Sequence, residues 1–188
     1  MKAVVITLAV LIGLGAIAGT RFVTVRNDLA VKKEEISKAW SEIDAALQRR
    51  ADLIPNLVET VKGYAKEETG IMEAIAKSRS AMINAKDPNE KIDAYNQMNG
   101  ALGRLLVVVE SYPNLKASDN FKSLQTELEG TENRILQARR RYNDAIKTYN
   151  ETLVIFPNNI VAGMSGFTRS DAYFKTDIDA RTAPKVAF

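Results

Sequence analysis

Counting every seventh residue from Phe121 gives Phe121, Leu128, Ile135, Tyr142, Tyr149 and Phe156, an apolar series without interruption. A stripe of that length and period fits a long helix with one buried side; a strand would repeat every second residue. The same period runs through the first half of the chain. Ile36, Ile43, Arg50, Leu57, Tyr64, Ile71 and Ser78 form one series, and Trp40, Leu47, Ile54, Val61, Glu68, Ile75 and Met82 form its companion four places on. Alternating steps of four and three are the seam of helices packed with a slight supercoil. The phase passes Pro55 unchanged, although a proline inside a helix forfeits a backbone bond and costs about 3 kcal/mol. The pattern therefore predicts one long helix from about Val25 to Ala85, kinked at Pro55, with the Lys66–Gly70 stretch, and Gly70 within it, as its next weak point.

Two further helices carry start and stop signals. "DPNE" offers Asp87 as cap, Pro88 at the first helical position and Glu90 to reach back, and the apolar face that follows ends at Tyr112, ahead of a proline. "SDNF" opens the helix bearing the Phe121 stripe, which closes at Pro157 despite Gly130 in its middle. A short helix near Ile160–Met164 and an extended or disordered tail over 168–188 complete the expectation.

The N-terminal stretch has a different character. After Lys2, residues Ala3 to Ala18 are uncharged and apolar, and Arg21 follows. This is the short limit for a membrane span, which usually needs about 20 residues. Arg21 could snorkel and lengthen it. Ala16-Ile17-Ala18 also resembles a signal-peptidase site, but apolar residues continue past the candidate cut, which favours an uncleaved anchor over residues 1–23. Arg21, Arg26, Lys32 and Lys33 follow the run while only Lys2 and the terminal amine precede it, so the positive-inside rule puts the large domain in the cytoplasm; long domains can be translocated regardless.

The inventory narrows the chemistry. There is no Cys and no His, so disulfides, thiol nucleophiles, His-ligated haem, zinc sites of the usual types, Ser-His-Asp hydrolysis and Glu-x-x-His di-iron centres are excluded, and no cofactor is expected. A net charge of +3 on 26 basic and 23 acidic groups gives little help to nucleic-acid binding. Arg50 falls on a seam position, where a lone charge is expensive to bury; it snorkels to the edge, pairs with a carboxylate of another helix or, with Arg49 and Asp52, marks an anion or partner site at the kink. Seam residue Glu68 poses the same choice between local opening and a cross-bundle pair. Arg139, Arg140 and Arg141 are adjacent, so on a helix they form a collar rather than a stripe and read as solvated surface ahead of phosphate contacts. Asp44, Asp52 and Glu59 show no paired acid and base.

The stretches "AWSEIDAALQRRADLIPNLVETVKGYA", "LLVVVESYPNLKASDNFKSLQTELEGTENRI", "ARRRYNDAIKTYN" and "FPNNIVAG" followed by "GF" make the chain resemble the LemA family of membrane proteins from Ala39 to Phe167. The resemblance implies a bacterial single-pass membrane protein, an uncleaved anchor and a four-helix, up-and-down bundle; it supplies no catalytic residue. The expectation is an all-α chain: a transmembrane helix, then an elongated antiparallel bundle over 24–167 with three long helices and a short one. The fourth helix of the class would come from the segment after Pro157 or from a split of the first helix near Pro55 or Gly70. In function this reads as a non-enzymatic scaffold at the bacterial envelope. Its partners would be membrane lipid through the N-terminal segment, an envelope or cytoplasmic protein, or a second copy, but not nucleic acid. The rivals are a conformational sensor that switches at Pro55 or Gly70, and a carboxylate-dependent enzyme.

Overall fold

The structure is a computed structural model and describes residues 2–174. It is all-α: α1 (Lys2–Lys62), α2 (Thr69–Asn84), α3 (Pro88–Val109), α4 (Pro113–Ala117), α5 (Asp119–Val154) and α6 (Asn158–Ser165), with no strand among the described residues. The described residues divide into two compact units, one from 2–39 with 143–171 and one from 40–142 with 172–174.

In the 40–142 unit, side-chain pairs fix the bundle topology. Moving down α1, Glu42 meets Arg141, then Arg49 and Arg50 meet Glu127 and Glu132, so α1 and α5 are antiparallel. Asp44 meets Lys91 while Arg50 lies over the ring of Tyr95, so α1 and α3 run parallel. α2 packs against α3 and returns along α1, where Arg79 reaches Ala51. The core holds Ile43, Leu47, Ile54, Leu57 and Val61 from α1, with Ile75, Met98, Leu105, Phe121 and Ile135 across from them.

The long helix expected over 25–85 is divided. α1 ends at Lys62, residues 63–68 make a turn held by the Ala65 N–H on the Val61 carbonyl (2.8 Å), and α2 starts at Thr69. This split supplies the fourth bundle helix. Folding α2 back lets Ile75, Ser78 and Met82 be buried, while Tyr64 is left about half exposed and Glu68 becomes the residue that opens α2. Gly70 sits in the first turn of α2 and is not itself the break.

Pro55, by contrast, lies inside α1 without ending it. A proline has no N–H for the carbonyl four residues back, here Ala51, which is fully buried. Arg79 of α2 fills that vacancy: its Nε–H donates to the Ala51 carbonyl at 2.8 Å. The helix passes a proline because a neighbouring helix replaces the missing donor.

Local signals elsewhere behave as read. Asp87 accepts from the N–H groups of Asn89 (2.8 Å) and Glu90 (3.0 Å), and Glu90 reaches back to the Lys86 N–H (2.8 Å). Ser118 caps α5 through the Phe121 N–H. α4 was not foreseen: "SYPN" ends α3, but Pro113 then starts a single turn that buries Leu115.

In the other unit, Phe22, Val25, Leu29 and Ile36 of α1 pack with Tyr149 and Leu153 of α5, Val161 and Ala162 of α6, and Phe167. α6 closes at Gly166, whose φ of 73° is the left-handed cap that glycine adopts freely, and the Phe167 N–H returns to the Ala162 carbonyl at 3.0 Å. Residues 168–170 are strapped to α5: Tyr149 Oη donates to the Thr168 carbonyl (2.9 Å), and Asn150 exchanges two bonds with the Ser170 backbone (2.8 and 2.9 Å). Residues 168–174 carry no regular secondary structure, and the rest of the expected tail, residues 175–188, lies outside the described residues. Phe156, the last member of the α5 stripe, is 75% exposed and not part of the buried seam.

α1 runs without interruption across residue 23. α1 is the one helix among the described residues long and apolar enough to cross a membrane, with mean hydropathy 2.3 in its most apolar window and none of that window buried. The hydroxyls of Thr7, Thr20 and Thr24 bond back to carbonyls one turn earlier, so these polar groups need no water.

Arg79→Ala should destabilise the detergent-solubilised chain by about 1–3 kcal/mol, the range for a buried carbonyl left without a donor. In a Pro55→Ala background, where residue 55 regains its N–H, the same change should cost a small fraction of that. A urea-unfolding double-mutant cycle measures the coupling.

Candidate functional site

Arg50 is the centre of the site. It is only 7% exposed, at a position where the heptad pattern of α1 calls for an apolar side chain. Its Nη1 meets Glu132 Oε2 of α5 at 2.5 Å. Glu132 also accepts the phenolic O–H of Tyr95 from α3, at 2.7 and 2.9 Å to its two oxygens, and the guanidinium carbon lies 5.8 Å from the Tyr95 ring centroid. Three helices therefore converge on one carboxylate. Glu132 keeps its side chain 41% exposed, so it meets solvent on one side and the buried cation on the other.

Burial pushes the Tyr95 phenol up to about 12, with the hydrogen bond to Glu132 and that carboxylate's charge acting in the same direction; Asn99 and Arg50 oppose them. Tyr95 is accordingly a fixed proton donor to Glu132 at neutral pH. Two buried atoms here have no hydrogen-bond partner among the described residues: the Arg50 Nε donor and the Asn99 Oδ1 acceptor.

A second layer covers Tyr95. Phe174, 2% exposed, meets the Tyr95 ring edge-on with centroids 5.8 Å apart, and the Arg139 guanidinium lies 4.1 Å from the Phe174 centroid. Both contacts fall in the range of favourable aromatic and cation–π geometry.

On its other side Arg50 borders an open, mainly apolar cavity of about 160 Å³, walled by Leu57, Leu102, Leu105, Leu106, Phe121 and Leu128, with Gln125, Glu129 and Glu132 completing the lining. An engineered cavity of about 150 Å³ with similar walls accepts benzene, so this one has room for a single large apolar side chain. Leu106 is 47% exposed and the adjacent Val107 73%.

The remaining candidate residues are dispersed. Arg49 pairs with Glu127 at 3.3 Å and Arg141 with Glu42 at 2.8 Å, both exposed. Asp52 is exposed and accepts from Gln48 one turn earlier, at 2.9 Å. Arg140 is exposed, with no ion pair among the described residues. Arg139, Arg140 and Arg141 do not act as a unit: one stacks on Phe174, one pairs with α1 and one faces outward. Asp44 pairs with Lys91, and no three carboxylates gather at a metal-sized site among the described residues.

Glu132, Tyr95, Arg79 and Phe174 were missed by sequence reasoning. Glu132 looked like a neighbour of the Gln137–Arg139 surface. The available signals were the seam arginine, which demands a carboxylate, and a tyrosine on an apolar face, whose hydroxyl demands an acceptor.

Residues 39–188 match the LemA family model. The chain belongs to the LemA family. Among curated relatives, it is similar to magnetosome protein MamQ 2 of Paramagnetospirillum magneticum (29% identical over 180 residues, 82% of this chain and 63% of the relative). It is also similar to magnetosome protein MamQ of Magnetospirillum gryphiswaldense (27% over 179 residues, 81% and 63%) and to protein LemA of Metamycoplasma hominis (30% over 138 residues, 73% and 63%). The chain thus spans under two thirds of the length of these relatives. In this LemA-family chain, the family match takes in the whole Arg50–Glu132–Tyr95 cluster and stops short of the apolar part of α1.

Two outcomes follow from this geometry. Glu132→Leu strands the buried guanidinium and should cost about 1–3 kcal/mol, less than for a fully buried pair because the carboxylate is part-exposed, whereas Arg50→Leu should cost less still; chemical unfolding separates the two. Because the Tyr95 pKa is raised on folding, its contribution to stability is complete below the ordinary tyrosine value of about 10 and is lost as pH rises from there towards about 12. Absorbance titration at tyrosinate wavelengths should show a late-titrating group that disappears in Tyr95→Phe, with a shallower alkaline loss of stability in that variant.

Proposed function

We propose that this chain is a membrane-anchored, non-enzymatic interaction module of the LemA type, a scaffold that offers the α1–α3–α5 face of its bundle to a partner protein at the bacterial envelope. The observation that carries the reading is the open apolar cavity beside Arg50, with its lining residue Leu106 about half exposed. An apolar slot of one-side-chain size under an apolar rim suits a partner's anchor residue. Glu129 and Glu132 in the lining favour basic groups flanking that anchor. The apolar part of α1 serves as the tether. The charges following it favour a cytoplasmic bundle and so a cytoplasmic partner. The employment of Arg50, Glu132 and Tyr95 in holding helices together supports a structural rather than a catalytic use of the site's titratable groups.

A photo-cross-linking side chain at Leu106, in the intact chain in its own membrane, should give an adduct of discrete mass with another polypeptide. The adduct should weaken several-fold when Leu128→Trp fills the cavity. A matched position on the exposed face of α2, Glu73, should give none. If Leu106 yields no adduct, or one indifferent to the cavity, the partner-slot reading is wrong. Protease digestion of spheroplasts, alongside, reports the side on which the bundle lies.

A further inference from the structure

Two stretches of this chain stand out for carrying no charge: Ala3–Thr20, and Thr152–Thr168. The first is the apolar part of α1. The second contains the end of α5, the Phe156-Pro157 corner and α6. The structure brings the two together: Phe22 and Val25, just past the first stretch, share a packed cluster with Leu153, Val161 and Ala162 of the second.

The inward side of the α5–α6 corner is accounted for by that cluster. Its outward side is not. Val154, Ile155, Phe156, Ile160 and Met164 are 56%, 55%, 75%, 53% and 74% exposed, the large side chains of a stretch without a charge to hold it in water. Exposed apolar groups scattered singly are ordinary, but a contiguous group of this kind marks an interaction surface. Its position beside α1 identifies the occupant. At about 1.5 Å per residue, Phe22 is only about 6 Å along α1 from Ala18. A corner packed against Phe22 and Val25 therefore lies at the depth where a helix spanning through Ala3–Ala18 leaves the hydrocarbon and enters the headgroup layer. Arg21 and Arg26, both exposed, flank this level and suit lipid phosphates.

We propose that the α5–α6 corner is a second, shallow membrane contact: Ile155, Phe156, Ile160 and Met164 seat in the bilayer interface beside α1. The inference rests on the reading of α1 as the membrane tether. It makes the corner an interfacial foot of the kind that amphipathic surface segments form, with aromatic and aliphatic groups at the headgroup–acyl boundary. It also explains why Phe156, the last apolar member of the α5 stripe, is left outside the seam.

The absence of cysteine allows a clean test with single-cysteine variants. The full chain, reconstituted in vesicles of phosphatidylcholine and phosphatidylglycerol, carries a small environment-sensitive fluorophore at Phe156→Cys, Met164→Cys, Val10→Cys or Asp144→Cys. Asp144 is an exposed α5 position ten residues, about 15 Å, before Val154. Quenching by lipids brominated near the headgroup should be several-fold stronger at 156 and 164 than at 144, with aqueous iodide showing the opposite order. In the Met164→Cys chain, adding Ile155→Ser and Phe156→Ser should return the label to iodide, which shows that the native side chains, not the fluorophore, hold the corner down. Lipid contact at Val10 with iodide access at 156 and 164 overturns the foot and leaves the tether standing. Iodide access at Val10 overturns both. Protection at 156 and 164 from both quenchers, with copies cross-linking through those cysteines, assigns the face to a second chain and overturns the lipid proposal.

Discussion

A guanidinium buried in the seam of a helix obliges its neighbours to arrange themselves around it. Arg50 cannot be solvated where it sits, so α5 must bring Glu132 to it, and Glu132 in turn fixes Tyr95 on α3. Such a group is a weak source of stability, because apolar replacements of buried ion pairs are often as stable or more so. Its value lies in register. The α1 and α5 stripes repeat every seven residues, and a seven-residue slip would set apolar groups opposite apolar groups again. The pairs Arg50–Glu132, Arg49–Glu127 and Glu42–Arg141 hold together in only one alignment, so they remove that ambiguity.

The proline of α1 obeys the same logic. A buried carbonyl without its amide donor would normally open a helix to water or end it. Arg79 closes the account from α2, so that helix must lie where its guanidinium reaches Ala51. The contacts of Arg50 and Arg79 thus tie α1 to α5 and to α2, while the apolar seams between them are permissive.

Much of the architecture was legible because the heptad phase and the capping residues are local signals. Asp87, Pro88 and Glu90 announce α3, and Ser118 announces α5. Three features were not legible. The division of the first long helix is invisible to periodicity because the turn at 63–68 preserves the heptad count while reversing the chain; the exposed Tyr64 and half-exposed Glu68 record the interruption only afterwards. Phe156 fits the stripe in phase, but α5 ends two residues before it. For the site, Arg50 raised the right demand, yet the identity of its carboxylate depends on which helices become neighbours. Glu132 is 82 positions away and equally plausible as a surface residue of its own helix.

Phe174 lies almost 80 positions beyond the tyrosine whose ring it covers. Its socket, Tyr95 on one helix and Arg139 on another, does not exist until α3 and α5 have paired. Once α3 and α5 have paired, the long separation in sequence is already closed, and docking Phe174 is rewarded only because that surface is in place. The segment ending at Phe174 is therefore a latch, a piece of chain whose seat is made by two helices that must already be side by side.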